Sequence, residues 1–346
     1  MMFLGAADVA TCLSGLDPVA EVRHAFALRA AGRTVLPMEY GLRWTTPSGA
    51  RARSLGLPAL LDGAEPTAGV KIINAGYANV ASGLPRASGL VLLFDPETAR
   101  VRCLMDAARI SAVRTAAVSG LAEELLRGSR PAGRLTVVGA GPLAAAHLSV
   151  LLPRLPGLRR VDVLDLDPAR ARALAGRFAA DPVTAGITVE GGPVSMDAVA
   201  AGDIVVTVTT TETPYLERDD VRPGALVVNV SLDDVGHSLM LGADVLVVDD
   251  WGLVADDQHR LLGRLHREGL VTGPHDPPVD GARRVDAELA DLVAGTAPGR
   301  RHDGEIVVVN PFGMAIGDLA LAAAVEHRAA ELGLGVALPD PDDPGW

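Results

Sequence analysis

The chain has 346 residues, more than one hydrophobic core usually organises, so two domains are expected. Its formal net charge is −12, it has no Lys/Arg run to track a phosphate backbone, and aromatic residues are only 3%; together these argue against nucleic acid as a partner. No apolar run approaches the ~18 residues of a membrane span, no basic segment precedes an apolar stretch as in a signal peptide, and two cysteines, Cys12 and Cys103, make no disulfide framework, which fits a reducing cytoplasm.

Asp17-Pro18 reads as the N-cap and first residue of a helix that Gly32 closes. Alternating runs near 34–43 and 69–75 predict strands. Residues 89–94 and 100–105 flank the turn signal Asp95-Pro96-Glu97-Thr98 and predict a hairpin. From Asp106 to Leu126 the pattern is helical. At residue 135 the rhythm becomes strand, Gly-rich turn, helix: a strand at 135–138, an apolar helix after Gly141, a strand Val161–Asp165, and a helix Pro168–Ala179. Further strands are expected at Ile204–Val208, Ala225–Val230, Val245–Val248 and Ile306–Val309. Segment 276–304, rich in Pro, Gly and charge, is expected at the surface, Gly313 to Leu332 as a long helix, and Pro339 to Pro344 as a disordered tail. Strands alternating with helices imply an α/β chain: a Rossmann-type doubly wound parallel sheet over 113–315, with an α+β domain from 1–112 and 316–346.

Gly139-x-Gly141-x-x-Ala144, placed between strand and helix, is a dinucleotide fingerprint in its required context. Gly139 allows the tight turn, Gly141 lets the backbone approach a pyrophosphate, and Ala144 permits close helix–strand packing. Asp165 ends the next strand, where a carboxylate accepts from both ribose hydroxyls and repels a 2′-phosphate; this favours NAD, although Arg170 and Arg172 lie nearby. Pro142 and Leu143 in the turn, together with Thr115, Thr207, Thr209 and Ser231, are the other candidate cofactor contacts.

The cations are unusual. Thirty are arginine and one is lysine, Lys71, inside the apolar run Ala68–Asn74. In a chain that uses arginine wherever any cation serves, a lone lysine marks a place for a compact ammonium rather than a planar fork. Arg43, Arg86 and Arg114 lie in similar strand-like or helix-start settings. Buried cations need anions, and a carboxylate substrate would supply them; ion pairs with the chain's own 43 acids are the rival account.

Gly83-Leu84-Pro85, Ser111 to Ala117, Val138-Gly139-Ala140-Gly141, Asn229-Val230-Ser231-Leu232-Asp233-Asp234 and Asn310 to Ala315 stand in an order that resembles the ornithine cyclodeaminase/μ-crystallin family over nearly the whole chain. The resemblance implies that Arg43, Lys71 and Arg114 hold a substrate carboxylate, that Asp234 is the acid/base beside the reacting Cα–N bond, and that Lys71 also assists catalysis electrostatically. It further implies a homodimer whose substrate-binding and dimerisation domain is the α+β part, a small amino-acid conjugate as substrate, and no metal. Two departures from the cyclodeaminases narrow it. Leu55-Gly56-Leu57-Pro58 lacks an acid for a distal ammonium, and Arg86 adds a cation. These features resemble the dehydrogenases that oxidise N-(2-amino-2-carboxyethyl)-L-glutamate with NAD and release L-2,3-diaminopropionate in siderophore and antibiotic pathways. Gly317 departs from that group, which has an acid in Ala-Ile-x-Asp. Alternatives are a cyclodeaminase, a ketimine reductase, or a non-catalytic crystallin-like ligand-binding protein.

Overall fold

The structure, a computed structural model, describes residues 1–129 and 131–339; the tail expected to be disordered lies outside them beyond Pro339. The chain divides into two compact units, Met1–Arg114 with Met314–Trp346, and Thr115–Gly313.

The first unit opens with β1 (Met2–Leu4), α1 (Ala6–Leu13) and α2 (Pro18–Ala30). Asp17 accepts from the N–H groups of Val19 and Ala20, and Gly32 exits the helix at φ +68°, as the cap signals require. Then come β2 (Thr34–Val35), β3 (Tyr40–Thr45), β4 (Arg51–Leu61), β5 (Thr67–Gly76), β6 (Ala87–Phe94) and β7 (Val101–Asp106). They form one sheet in the order β1-β7-β6-β5-β4-β2, with β3 also on β4. The hairpin β6–β7 turns on Asp95, whose carboxylate accepts from the N–H and hydroxyl of Thr98.

No strand is expected over 51–61, yet β4, with 11 residues, is the longest strand among the described residues. Gly56 and Pro58 hide it, because both lower strand propensity. Pro58 is tolerated because β3 ends its pairing at Gly56 and β2 begins at Leu60, so the stretch between has a neighbour on one side only.

Helix α3 (Ala107–Leu126) begins in the first unit and ends in the second. The second unit carries β8 (Arg134–Val138), α4 (Pro142–Leu151), β9 (Arg160–Asp165), α5 (Pro168–Ala179), β10 (Thr188–Pro193), α6 (Met196–Ala200), β11 (Ile204–Thr207) and β12 (Leu226–Asn229). There follow α7 (His237–Gly242), β13 (Val245–Val248), α8 (Trp251–Asp256), α9 (Leu261–Arg267), the short pair β14 (Val271–Thr272) and β15 (Arg283–Arg284), β16 (Ala287–Glu288), α10 (Leu289–Ala294) and β17 (Val307–Asn310). Eight strands make a wholly parallel sheet, β10-β9-β8-β11-β12-β17-β13-β16. Val137, Val163, Val205, Val227 and Val308 are fully buried, as strands covered on both faces demand. The order reverses between β8 and β11, which is the switch point where such sheets bind ligands.

Two expectations need correction here. The edge strand β10 is unanticipated because Gly191, Gly192 and Pro193 read as loop. Segment 276–304 is not simply surface: Val285, Ala287, Leu289, Ala290 and Leu292 are buried, and β16 is the last strand of the sheet. Their apolar run is short and is masked by the Pro- and Gly-rich residues around it.

After Gly313 the chain returns to the first unit as α11 (Ala315–Leu332) and β18 (Val336–Ala337), which pairs with β1. Helix α11 packs on α2 and on β4, β5 and β6. No helix among the described residues is long and apolar enough to cross a membrane.

Candidate functional site

Candidate site residues occur in both units. In the second, β8 delivers the chain into Gly139 at φ +110°, where a Cβ would lie 2.7 Å from the carbonyl oxygen of Val208. Only glycine allows this crossing of the switch point. Gly141 caps α4, Pro142 occupies its first turn, and Ala144 is fully buried. Asp165 holds the turn from the neighbouring strand: Oδ2 accepts from Ala140 N–H at 2.7 Å and Oδ1 from Asp167 N–H at 2.9 Å. A carboxylate has about four acceptor positions, so capacity for two ribose hydroxyls remains. The Arg170 guanidinium lies 4.0 Å from where a Cβ on Gly141 would stand. A Cβ-free turn, a helix N-terminus, a fixed carboxylate and a nearby cation together fit a dinucleotide.

One buried pair supports this turn without any signal in the sequence. His147 Nδ1 bonds the Leu143 carbonyl at 2.7 Å, and Nε2 lies 3.0 Å from the Ser119 hydroxyl. A carbonyl can only accept, so Nδ1 carries the hydrogen and Nε2 accepts from Ser119. Burial lowers the imidazole to about 4, and it is neutral. The pair fastens α4 to α3.

Beyond β11, Thr207 differs from its expected role as a crevice liner. It is fully buried, its hydroxyl donates to Asn229 Oδ1 (2.9 Å), and Asn229 Nδ2 donates to Asn310 Oδ1 (2.7 Å). This chain of bonds ties the ends of β11, β12 and β17 together. Ser231 Oγ accepts from Thr209 N–H at 3.0 Å, so the loops after β11 and β12 are cross-linked.

Asp234 follows β12 and is fully buried. Its Oδ1 accepts from the hydroxyls of Thr209 (2.8 Å) and Tyr215 (3.0 Å), and its Oδ2 has no partner. Burial pushes this carboxyl above the ordinary range, against the pull of the neighbouring Ser231, Thr209 and Tyr215 hydroxyls. Its neighbour Asp233 points elsewhere and takes Leu261 N–H (2.7 Å) and Arg264 (3.0 Å). A carboxyl shifted upward in this way holds a proton more readily than a solvated aspartate, as an acid/base group requires. Tyr215 went unpredicted; a lone aromatic after Thr213-Pro214 carries no motif.

In the first unit, Lys71 is only 1% exposed and does not reach solvent. Its Nζ lies 2.6 Å from Asp318 Oδ2, while Arg114 Nε lies 3.0 Å from Asp318 Oδ1. Asp318, in the first turn of α11, is itself fully buried. Two buried cations thus share one carboxylate, and the cluster carries a net +1. Burial first, then the Arg114 charge, lower the Lys71 ammonium to about 8, opposed by Asp318 and Glu39. Part of the rival account therefore holds, since the chain supplies an internal anion in Asp318, with Glu39 as a further acid bearing on Lys71.

Arg43 and Arg86 stand outside this cluster. Arg43 is exposed on β3 opposite Arg53, which faces Ala75. That cross-strand row shares the Lys71 face of the sheet, four residues along, or ~13 Å. Arg86 stacks on Tyr77 at 5.0 Å, with Arg51 on the same ring at 5.1 Å. A Cβ at Gly317 would meet Val22 and the Arg114 Cδ at 3.7 and 3.8 Å, ordinary contacts, so a small side chain would fit beside Arg114. Elsewhere, His275, Glu288 and Asp291 bring metal-ligating atoms within 4.8 Å of one another. Both carboxylates already accept backbone N–H groups: Glu288 takes Trp251 N–H at the start of α8 (2.6 Å), and Asp291 takes Glu288 N–H at the start of α10 (3.0 Å).

The second unit is a dinucleotide-binding fold of the Rossmann type, built around a buried carboxyl. The ornithine cyclodeaminase/mu-crystallin family model matches residues 1–333, and the chain belongs to that family. It is 33% identical to N-((2S)-2-amino-2-carboxyethyl)-L-glutamate dehydrogenase of Staphylococcus aureus, over 88% of this chain and 87% of that one. It is 34% identical to a Delta(1)-pyrroline-2-carboxylate/Delta(1)-piperideine-2-carboxylate reductase of Azospirillum brasilense, over 84% and 85%. The crystal structure of CmnK superposes with a TM-score of 0.87 at 35% identity, covering 99% of both chains.

Proposed function

We propose that this protein is an NAD-dependent dehydrogenase acting on a CH–NH bond. Its substrate is N-(2-amino-2-carboxyethyl)-L-glutamate or a similar secondary amine with several carboxylates, and its products are L-2,3-diaminopropionate and 2-oxoglutarate. The observation that carries this reading is the buried Lys71–Asp318–Arg114 cluster, in which two cations share one carboxylate, an arrangement suited to taking a further carboxylate from a substrate. Similarity to the S. aureus dehydrogenase supports the choice of substrate. The absence of an acid in Leu55–Pro58 removes the partner that a free distal ammonium would need.

NAD, when bound, accepts a hydride. Gly139, Gly141 and the start of α4 would hold its pyrophosphate and Asp165 its ribose. Lys71 and Arg114 bind a substrate carboxylate and fix the orientation of the glutamyl Cα. Their residual charge also stabilises the electron-rich nitrogen and carboxylate as the C–N bond order changes. Asp234 takes the proton that the secondary ammonium must lose for a C=N bond to form, and returns one when water adds and the amine departs.

A homodimer forms part of the proposal. Tyr40, Leu42, Trp44, Ile72 and Leu90 expose apolar surface on the face of the first unit's sheet opposite Lys71. A second copy of this chain is the proposed occupant, and Leu42→Glu should give monomers in sedimentation.

Similarity to the A. brasilense enzyme supports a second reading, reduction of cyclic imines with NADH. The two readings separate in one assay. Purified protein with NAD and the aminocarboxyethyl-glutamate conjugate should generate NADH absorbance, 2-oxoglutarate and diaminopropionate. No NADH from the conjugate, with rapid consumption of NADH on Delta(1)-pyrroline-2-carboxylate, would replace the first reading with the second.

A further inference from the structure

The two oxygens of Asp234 have unequal surroundings. Thr209 and Tyr215 both bond Oδ1, whereas Oδ2 is buried without a partner. A buried acceptor left unpaired is destabilising, so its persistence calls for an explanation.

The direction of both bonds is fixed by the atoms around them. Thr209 Oγ1 accepts from Thr211 N–H at 3.1 Å, which leaves its single hydrogen to point at Asp234. The Tyr215 phenol is pushed far above its ordinary value, by burial first and then by the Asp234 charge, and stays protonated as a donor. The backbone fixes the same contact from the other end: Tyr215 N–H and Leu216 N–H both donate to the Asp234 carbonyl, at 3.0 and 2.9 Å. The Tyr215 ring is therefore held to Asp234 through main chain and side chain together.

We propose that Tyr215 and Thr209 are positioning residues that assign proton exchange by Asp234 to Oδ2. With two hydroxyl hydrogens directed at Oδ1, a protonated Asp234 carries its own hydrogen on Oδ2. The same oxygen has the free lone pair when the group is ionised. In the amine-oxidising direction one N–H bond of the substrate breaks, its electron pair stays on nitrogen, and the O–H bond forms at Oδ2. When the amine product leaves, that proton returns from Oδ2 to nitrogen. The hydroxyls of Thr209 and Tyr215 lose no proton in either step. They prevent rotation of the carboxyl and, together with the neighbouring Ser231 hydroxyl, set its affinity for the proton. The other charged group bearing on Asp234 is Asp233, whose own carboxylate is committed to Arg264 and to Leu261 N–H.

This inference rests on Asp234 being the acid/base, and the test separates the two. Asp234→Asn reports on the parent reading: retained turnover would overturn that reading. Tyr215→Phe reports on this inference. Removing one donor from Oδ1 makes the carboxyl bind its proton more tightly, so the limb of the kcat/KM–pH profile due to Asp234 should move to higher pH. We expect kcat to fall about tenfold to a hundredfold, within what acid–base catalysis contributes, while both KM values stay within about twofold. Thr209→Val should move the limb the same way, and Thr209→Ser, which keeps the donor, should restore it. Thr209→Val also serves if Tyr215→Phe does not fold. An inactive Asp234→Asn combined with wild-type kcat and pH limb in Tyr215→Phe and Thr209→Val would overturn the assignment of Oδ2.

Discussion

Two buried carboxylates, Asp318 in the first unit and Asp234 in the second, are both fully shielded from solvent, yet they are used in opposite ways. Asp318 spends both oxygens on cations, one on Lys71 and one on Arg114. Asp234 receives two neutral hydroxyls on one oxygen and nothing on the other. A carboxylate placed between two cations organises charge, whereas burial among hydroxyls raises the Asp234 carboxyl and favours its protonated form. Burial alone therefore does not identify a reactive acid. The partners decide it.

The sharpest way to break this comparison is to change the compact cation. Lys71→Arg preserves charge but puts a planar fork where an ammonium lies 2.6 Å from Asp318 in a site 1% exposed. Turnover should fall about a thousandfold, roughly 4 kcal/mol of transition-state stabilisation. Steady-state kinetics on the conjugate would check it. Retained activity would make Lys71 a compositional accident among thirty arginines.

Replacing each acid by its amide comes next. Asp318→Asn strands two cations in the interior and should cost about 3 kcal/mol of stability, seen as a lowered denaturation midpoint. Asp234→Asn should leave the midpoint unchanged or higher near neutral pH while turnover drops at least about a hundredfold. The sign follows from its raised carboxyl: the folded state favours the protonated form, so its ionised form is a liability that deepens as pH rises through the folded value. Equal stability losses in the two variants would erase the distinction between them.

The contrast also marks what the sequence could reveal. The dinucleotide turn was legible because its requirements are local: Gly139 needs positive φ, Gly141 opens the helix, and Asp165 ends the adjacent strand. Asp234 was reachable through its place after β12 and through family resemblance. Asp318 carries no comparable signal, because it lies 247 residues from Lys71 and 204 from Arg114, and no spacing rule joins them. Tyr215 was invisible for the same reason at shorter range. The fold shows this division too. Helices with their own caps, such as Pro18–Ala30 and Pro168–Ala179, read correctly from the chain. In contrast, β4 and β10 depend on neighbours that override their glycines and prolines.

Titration separates the clusters again, with a smaller effect. Lys71 is lowered to about 8 from its ordinary 10.5, so the ammonium proposed to hold a substrate carboxylate is lost as pH rises through about 8. The KM for substrate should climb above that pH while the KM for NAD stays flat. Stability moves the other way. The unfolded chain binds the Lys71 proton more tightly than the folded one, so the burden of burying it is present below about 8 and is relieved between about 8 and 10.5. A substrate KM that is flat across this range would show that the carboxylate depends on Arg114 alone.

The smallest effect is expected at Arg86, which pairs with neither acid. Its stack on Tyr77 contributes only about 0.5–1 kcal/mol at so open a position, so Arg86→Ala should barely alter the denaturation midpoint. If a third carboxylate of the substrate reaches the Gly83–Gly89 loop, its KM should rise roughly threefold to tenfold, the loss of one solvent-exposed ion pair. NAD has no part in that contact, and its affinity should not change. Because Arg51 lies on the same ring, it can partly substitute for the missing cation, and the double variant should show the larger shift. Equal weakening of substrate and NAD would make Arg86 a structural residue and remove the third carboxylate from the recognition scheme, leaving Lys71 and Arg114 to bind a simpler amino acid.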